Sequence, residues 1–131
     1  MISGEILGGL VSEEKYEDSQ KQKQKYIWSA SGEVSSLYYP LGTQSQKSEI
    51  FYFSNAKARS YHFEVVDFDQ ENCSGRVEFS SNKNDFRTIE ACDENIEEIN
   101  LNGNKIKVQF SSGFDSKGRG LKLTFTTNWV I

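Results

Sequence analysis

Apolar residues in this chain recur at every second position over short runs, the repeat of strands with one face buried and one in water. In KIKVQF, Ile106, Val108 and Phe110 fall on one side, with Lys105, Lys107 and Gln109 on the other. In LKLTFTT, Leu121, Leu123 and Phe125 line one side in the same way. EIFYF (49–53), YHFEVVDF (61–68) and RVEF (76–79) read as further strands. Between EINL and KIKV stands Asn102-Gly103-Asn104, a hairpin turn by its sequence, because Asn and Gly accept positive φ. Many short strands, turn signals between them and no convincing long helix predict an all-β fold, an antiparallel β-sandwich.

The alternation begins at Tyr26. Before it, SEEKYEDSQKQKQK (12–25) is polar, highly charged and without usable periodicity. Residues 1–25 are therefore expected to form a polar N-terminal arm and residues 26–131 the folded domain. A short helix over the charged stretch is the alternative, since Glu, Lys and Gln tolerate helix well. SGEILGGL (3–10) echoes SGEVSSL (31–37). The echo is either coincidence in a glycine-rich chain or a second strand-like segment, able to pair with an edge of its own sandwich or a neighbour's.

Composition narrows the classes. A chain of 131 residues has room for one domain with a real core. Its net charge of −4 argues against nucleic acid as a partner, which needs a basic footprint. No apolar run approaches the roughly 20 residues of a membrane span, so membrane insertion is not expected. The opening MISGEILGGLVSEE has no basic n-region and its apolar stretch is broken by glycines, so it does not read as a complete signal peptide. A secreted protein would have lost its signal; a cytosolic start is the competing explanation.

The catalytic inventory is short. His62 is the only histidine and sits inside a strand-like run, where packing or surface roles are usual. No nucleophile elbow or phosphate-binding glycine loop occurs, and no carboxylate spacing singles out a glycosidase pair, so an enzyme is not expected. Two cysteines and one histidine, without C-x-x-C spacing, cannot close a four-ligand zinc site unless carboxylates help. Cys73 and Cys92 lie beside strands and fit a disulfide, whose loop closure is worth roughly 3 kcal/mol. Two unpaired buried thiols in a cytosolic protein are the alternative.

SGEVSSLYYP, FYFSNAKARSYHFEVVDFD, ENCSGRVEF and ACDE follow one another from about Ser29 onward, and in this order the chain resembles a CUB domain. SGEVSSLYYP (31–40) is similar to the family's opening strand and turn, and FYFSNAKARSYHFEVVDFD (51–69) to its next two strands with their Phe-plus-acid ending. ENCSGRVEF (71–79) resembles the cysteine-started strand, ACDE (91–94) the closing cysteine, and NGNKIKVQFSSGFDSKGRGLKLTFTT (102–127) the last hairpin. Each motif is degenerate alone; their order and spacing together carry the likeness. The resemblance implies a jelly-roll sandwich in a secreted or cell-surface, non-enzymatic binding or adhesion module. It also implies that Cys73 and Cys92 bond to each other.

Departures from the family pattern sharpen the expectations. Leu7 and Glu49 stand where the family's earlier disulfide would have its two cysteines. Many CUB domains bind Ca²⁺ through a Tyr, a Glu and two Asp, and the ion orders loops that hold a partner's Lys or Arg. Here the acid after the Phe is Asp69, or Asp67 one strand repeat earlier, while the other ligand positions fall on Ser31, Gly75 or Arg76, and Gly113. The family's calcium site is therefore expected to be lost and no cofactor is expected, with a rearranged site on Asp69 and Asp115 as the weaker alternative. Binding is expected on the loop rim that gathers Asp67, Asp69, Glu71, Arg76, Asp115, Lys117 and Arg119. Asn72 starts an N-glycosylation pattern whose middle residue is the bonded cysteine, so it is expected to be unmodified.

The partner implied is an extracellular protein. A glycan stacked on exposed aromatics such as Trp28, Tyr38, Tyr39 or Trp129 is the alternative. Self-association through sheet edges or the N-terminal arm is the third reading.

Overall fold

The computed structural model describes residues 12–17, 22–36, 39–41, 48–69, 75–90, 98–111 and 118–129, with side chains from residue 24 onward. Ten strands are found among them: β1 (Ser12–Glu17), β2 (Gln22–Ile27), β3 (Ser31–Ser35), β4 (Ser48–Ser54) and β5 (Ala58–Asp69), then β6 (Arg76–Ser81), β7 (Phe86–Glu90), β8 (Glu98–Asn102), β9 (Lys105–Ser111) and β10 (Gly120–Trp129). They form two sheets, one of six strands in the order β1-β2-β4-β9-β6-β7 and one of four in the order β3-β10-β5-β8. All pairings are antiparallel except β2 with β4.

The core lies between the sheets and is aromatic. Phe53 of β4 packs edge-on against Phe63 of β5 and Phe125 of β10, with ring centroids 5.1 and 4.8 Å apart. Edge-to-face contacts of this kind bring the positive ring edge onto a neighbour's negative face and add to the burial energy. The alternating residues of the five strands legible in the sequence point inward as their pattern requires: Phe51 and Phe53, Tyr61 and Phe63, Val77 and Phe79, Ile106, Val108 and Phe110, Leu121, Leu123 and Phe125 are all buried.

Three sequence expectations change here. Residues 12–17 and 22–25 of the polar segment form neither an arm nor a helix: they carry β1 and most of β2, an antiparallel pair whose second strand runs parallel to β4. Backbone ladder bonds need no particular side chains, so a charged sequence can occupy a sheet edge. Of the described side chains of this pair, those of residues 24–27, only Ile27 joins the core. The 25/26 boundary thus falls inside β2.

Second, the Asn102–Asn104 turn is not a hairpin. β8 pairs with β5 in one sheet while β9 pairs with β4 and β6 in the other, so the turn carries the chain across the sandwich. Gly103 has φ +124° there, its N–H donates to the Arg59 carbonyl, and an added Cβ would collide with Asn82 Oδ1. Asn82 in turn accepts the N–H groups of Asn104 and Lys105. Asn-Gly provides the left-handed backbone that either connection needs. Third, β9 and β10 also lie in different sheets, so they form no hairpin. The hairpin the sequence hides is β6–β7, turned through Asn84 at φ +67°.

Candidate functional site: an arginine-clamped carboxylate pair

A bulge in β5 creates the site. Val65 pairs with Leu123 and Asp67 with Lys122, so Val66 is an extra residue opposite the Lys122/Leu123 step. Strict alternation from Tyr61 and Phe63 would send Asp67 and Asp69 into the core. The inserted residue reverses the phase, as bulges do. Phe68 turns inward instead and meets Phe110 edge-on at 6.0 Å, while Val66 is left exposed. Both aspartates reach the solvent side at the sandwich end where β5 leaves and β10 enters.

Arg119, just before β10, closes over them. Its Nε and Nη2 donate to Oδ2 and Oδ1 of Asp67 at 2.7 and 2.9 Å, a two-point fork that fixes orientation as well as charge. Its backbone N–H donates to Asp69 Oδ2 at 2.9 Å, and its Nη1 lies 3.4 Å from the same oxygen. Gly118 has φ +118°, and a Cβ there would stand 2.7 Å from the Asp69 carbonyl oxygen, so glycine permits this close approach. The Tyr39 hydroxyl, from the turn after β3, donates to Asp67 Oδ2 at 2.7 Å. That turn is tied to β10 by Ser36, whose N–H donates to the Leu121 carbonyl and whose hydroxyl accepts the Leu121 N–H.

The Arg119 hydrogen bonds hold the Asp67 carboxyl below the usual carboxylate range, against an opposing effect of desolvation. The same contact raises Arg119, and the bond to Asp67 raises the Tyr39 phenol. Asp67 is thus a fixed anion and Arg119 a fixed cation.

Of the rim residues expected from the sequence, Asp67, Asp69 and Arg119 are brought together. Arg76 enters β6 in the other sheet, with its Nε 3.5 Å from Glu78 Oε1. Glu71, Asp115 and Lys117 lie outside the described residues, as do Asn72, Cys73, Cys92 and Tyr38. Tyr39 was a candidate for sugar stacking and is instead bonded to Asp67. Nothing in the local sequence pairs those two, because only the β3–β10–β5 register brings them close.

A second surface lies on the outer face of the six-stranded sheet. Tyr26, Tyr52, Lys107, Ser80 and Phe86 form one row across β2, β4, β9, β6 and β7. Tyr26 and Tyr52 stack at 4.9 Å, and with Trp28, Lys105 and Lys107 they line an open groove of about 490 Å³.

Two antiparallel-rich sheets packed face to face in this order define a CUB-like sandwich. Solved structures similar to it include CUB domains. The second CUB domain of MASP-1 bound to Ca²⁺ matches with TM-score 0.66 and 14% identity, over 78% of this chain and 96% of that one. The CUB1-EGF-CUB2 region of rat MASP-1 matches at 0.69 and 15%, covering 82% and 44% of the two chains. The extracellular region of zebrafish Gpr126/Adgrg6 matches at 0.69 and 18%, covering 80% and 14%. No family model matches this sequence, nor does the sequence of any curated protein.

One of those structures holds Ca²⁺, so the carboxylates here can be tested against that ion. Ca²⁺ takes six to eight oxygen ligands. Both oxygens of Asp67 are already taken by a guanidinium and a phenol, and a fixed positive charge lies between the two carboxylates. Asp67 and Asp69 do not fit a calcium ion while Arg119 occupies this position.

Proposed function

We propose that this chain is an extracellular, non-enzymatic module that binds another protein through the charged rim at the β5/β10 end of its sandwich. The observation that carries this reading is the Tyr39–Asp67–Arg119–Asp69 cluster on a CUB-like fold. Arg119 and Asp69 stay 55% and 40% exposed, so the fixed charges remain available to a partner. In the resembled family a cation orders loops at this end, and here the Arg119 guanidinium ties the end of β5 to the start of β10 from within the chain. Glu71, Arg76, Asp115 and Lys117 extend the rim in this reading, and no resident calcium is required. Charge pairing at such a rim chiefly sets on-rate and specificity and weakens with salt.

The test is a pull-down from the native extracellular fluid, followed by charge reversal at Asp69 and Asp115 against the captured partner. Loss of affinity together with a flatter salt dependence supports the rim. Unchanged affinity and salt dependence would move the interface to a sandwich edge. A melting curve of each variant separates lost binding from lost fold.

The second reading is a glycan-binding sandwich, favoured by the stacked Tyr26–Tyr52 pair beside Trp28 and two lysines. Aromatic faces bind the apolar faces of sugar rings, and lysines would select anionic ones. Glycan-array binding lost in Tyr52→Ala, with the rim variants unaffected, would favour it.

A further inference from the structure

The solvent face of the four-stranded sheet carries a group of side chains with no part in the rim. On β5, His62 and Glu64 alternate outward from the buried Tyr61 and Phe63; on β8, Glu98 and Asn100 alternate outward from the buried Ile99 and Leu101. The register sets His62 opposite Asn100 and Glu64 opposite Glu98. Two like charges directly opposite on neighbouring strands repel, and such pairs destabilise a sheet unless something neutralises them. The chain's only histidine stands beside both, with Nε2 3.1 Å from Glu98 Oε1 and 3.6 Å from Glu64 Oε1.

The other ring nitrogen decides what Nε2 offers. Nδ1 lies 2.6 Å from Asn100 Oδ1, an acceptor, so the ring donates its N–H there. A neutral imidazole held in this way turns its Nε2 lone pair toward two carboxylates. Three acceptors facing one another are held together only by a cation at their centre, either a proton on Nε2 or a metal ion. An imidazole whose distal N–H is fixed by an outer hydrogen bond is the arrangement that orients histidines onto metals. From the β10 side, Thr126 and Thr124 stand opposite His62 and Glu64, so no cationic side chain comes from that strand at these positions.

We propose that His62, Glu64 and Glu98 form a binding site for a divalent metal of the Zn²⁺ class, with Asn100 as the positioning residue. An imidazole nitrogen and two carboxylates are donors that Zn²⁺ accepts, and a tetrahedral zinc places its ligand atoms about 3.3 Å apart. The two distances from Nε2 bracket that value. All three ligand atoms lie within 4.8 Å of one another, a gap that rotation of the exposed glutamates closes. Two carboxylates and a neutral imidazole leave a fourth position open to water, or to a donor from a bound partner. The two cysteines and one histidine could not close a four-ligand zinc site without carboxylates, and the β5–β8 register sets two carboxylates beside the histidine.

The presence of one histidine makes the test direct. The full chain is titrated with ZnCl₂ while the imidazole proton resonances are followed, and affinity is measured by calorimetry. The expected result is saturable one-to-one binding that shifts the single imidazole, with neither Ca²⁺ nor Mg²⁺ reproducing it. His62→Gln and the double variant Glu64→Gln/Glu98→Gln are expected to abolish that binding. Asn100→Ala weakens it about tenfold, the usual cost of losing an outer hydrogen bond. Zinc uptake that leaves the imidazole unshifted, or that survives in both ligand variants while they melt normally, overturns the proposal. So does an imidazole that never responds to zinc.

Discussion

Arg119 grips Asp67 with two side-chain nitrogens while its own peptide N–H is spent on Asp69. One residue therefore bridges the end of β5 and the start of β10 without any external ion. The expected consequence is a melting temperature indifferent to millimolar Ca²⁺. A site bound tenfold above its dissociation constant would add about 1.4 kcal/mol, seen as a rise of several degrees. Such a rise, reversed by chelator, would show that other oxygens displace the guanidinium. Arg119→Gln is expected to lower the melting temperature, since it leaves two carboxylates facing each other.

Acid should undo the clamp. The folded-state pKa of Asp67 is depressed, first by the Arg119 hydrogen bonds. The unfolded chain then binds the proton more readily, so this contribution is present above the ordinary aspartate pKa and is lost as pH falls through the depressed one. Wild type and Asp67→Asn are therefore expected to differ in stability near neutrality and to converge in strong acid. Denaturant melts of both at stepped pH check the sign; a gap that widens toward acid would refute it.

Tyr61 is fully buried, and its hydroxyl has no hydrogen-bond partner among the described residues. Tyr61→Phe is expected to raise stability by up to about 1 kcal/mol, because an unsatisfied buried hydroxyl is removed. Burial pushes this phenol up to about 12 from 10.0. Unfolded Tyr61 therefore ionises first, and its effect destabilises the fold as pH rises above 10. The variant's advantage should grow over that range, measured by chemical denaturation.

Gly103 allows the crossing from one sheet to the other. Gly103→Ala imposes a left-handed backbone on a side chain and pushes Asn82 away from the two N–H groups it accepts. The expected loss is about 1–3 kcal/mol. Asn84→Gly, at the neighbouring β6–β7 turn, should be close to neutral, because glycine takes positive φ freely. Equal losses in the two variants would locate the strain elsewhere.

The extracellular reading also expects Cys73 and Cys92 to be joined, at positions outside the described residues. Intact mass before and after reduction under denaturing conditions decides it, and reduction should cost roughly 3 kcal/mol of stability. Thiols that label readily without reductant would remove this support for secretion.

The legible strands were those with two or more apolar residues in alternation, as in Val77 and Phe79 or Ile106, Val108 and Phe110. β7 stayed hidden because only Ile89 of its five residues is buried, which leaves no period to detect. The β1–β2 edge was hidden for a different reason: backbone pairing leaves no mark on composition. Asp67, Asp69 and Arg119 could be chosen from their motifs, yet their contacts depend on the Val66 bulge, and the Val65-Val66 doublet signals it only in hindsight. The His62, Glu64 and Glu98 group was invisible for want of a register, since residues far apart in sequence become neighbours only when β5 and β8 pair.

Strand β10 pairs with β3 on one side and β5 on the other, so the middle of the four-stranded sheet comes from the last described strand. Among the described residues, only the β1–β2 and β6–β7 ladders join strands consecutive in the chain. Before residues 120–129 leave the ribosome, the four-stranded sheet therefore lacks an inner strand. Until residues 120–129 emerge, β3 and β5 have no shared neighbour and the Phe53–Phe63–Phe125 cluster lacks a member. Folding is expected to begin after synthesis of β10 and to be slow, as for other topologies dominated by distant pairings.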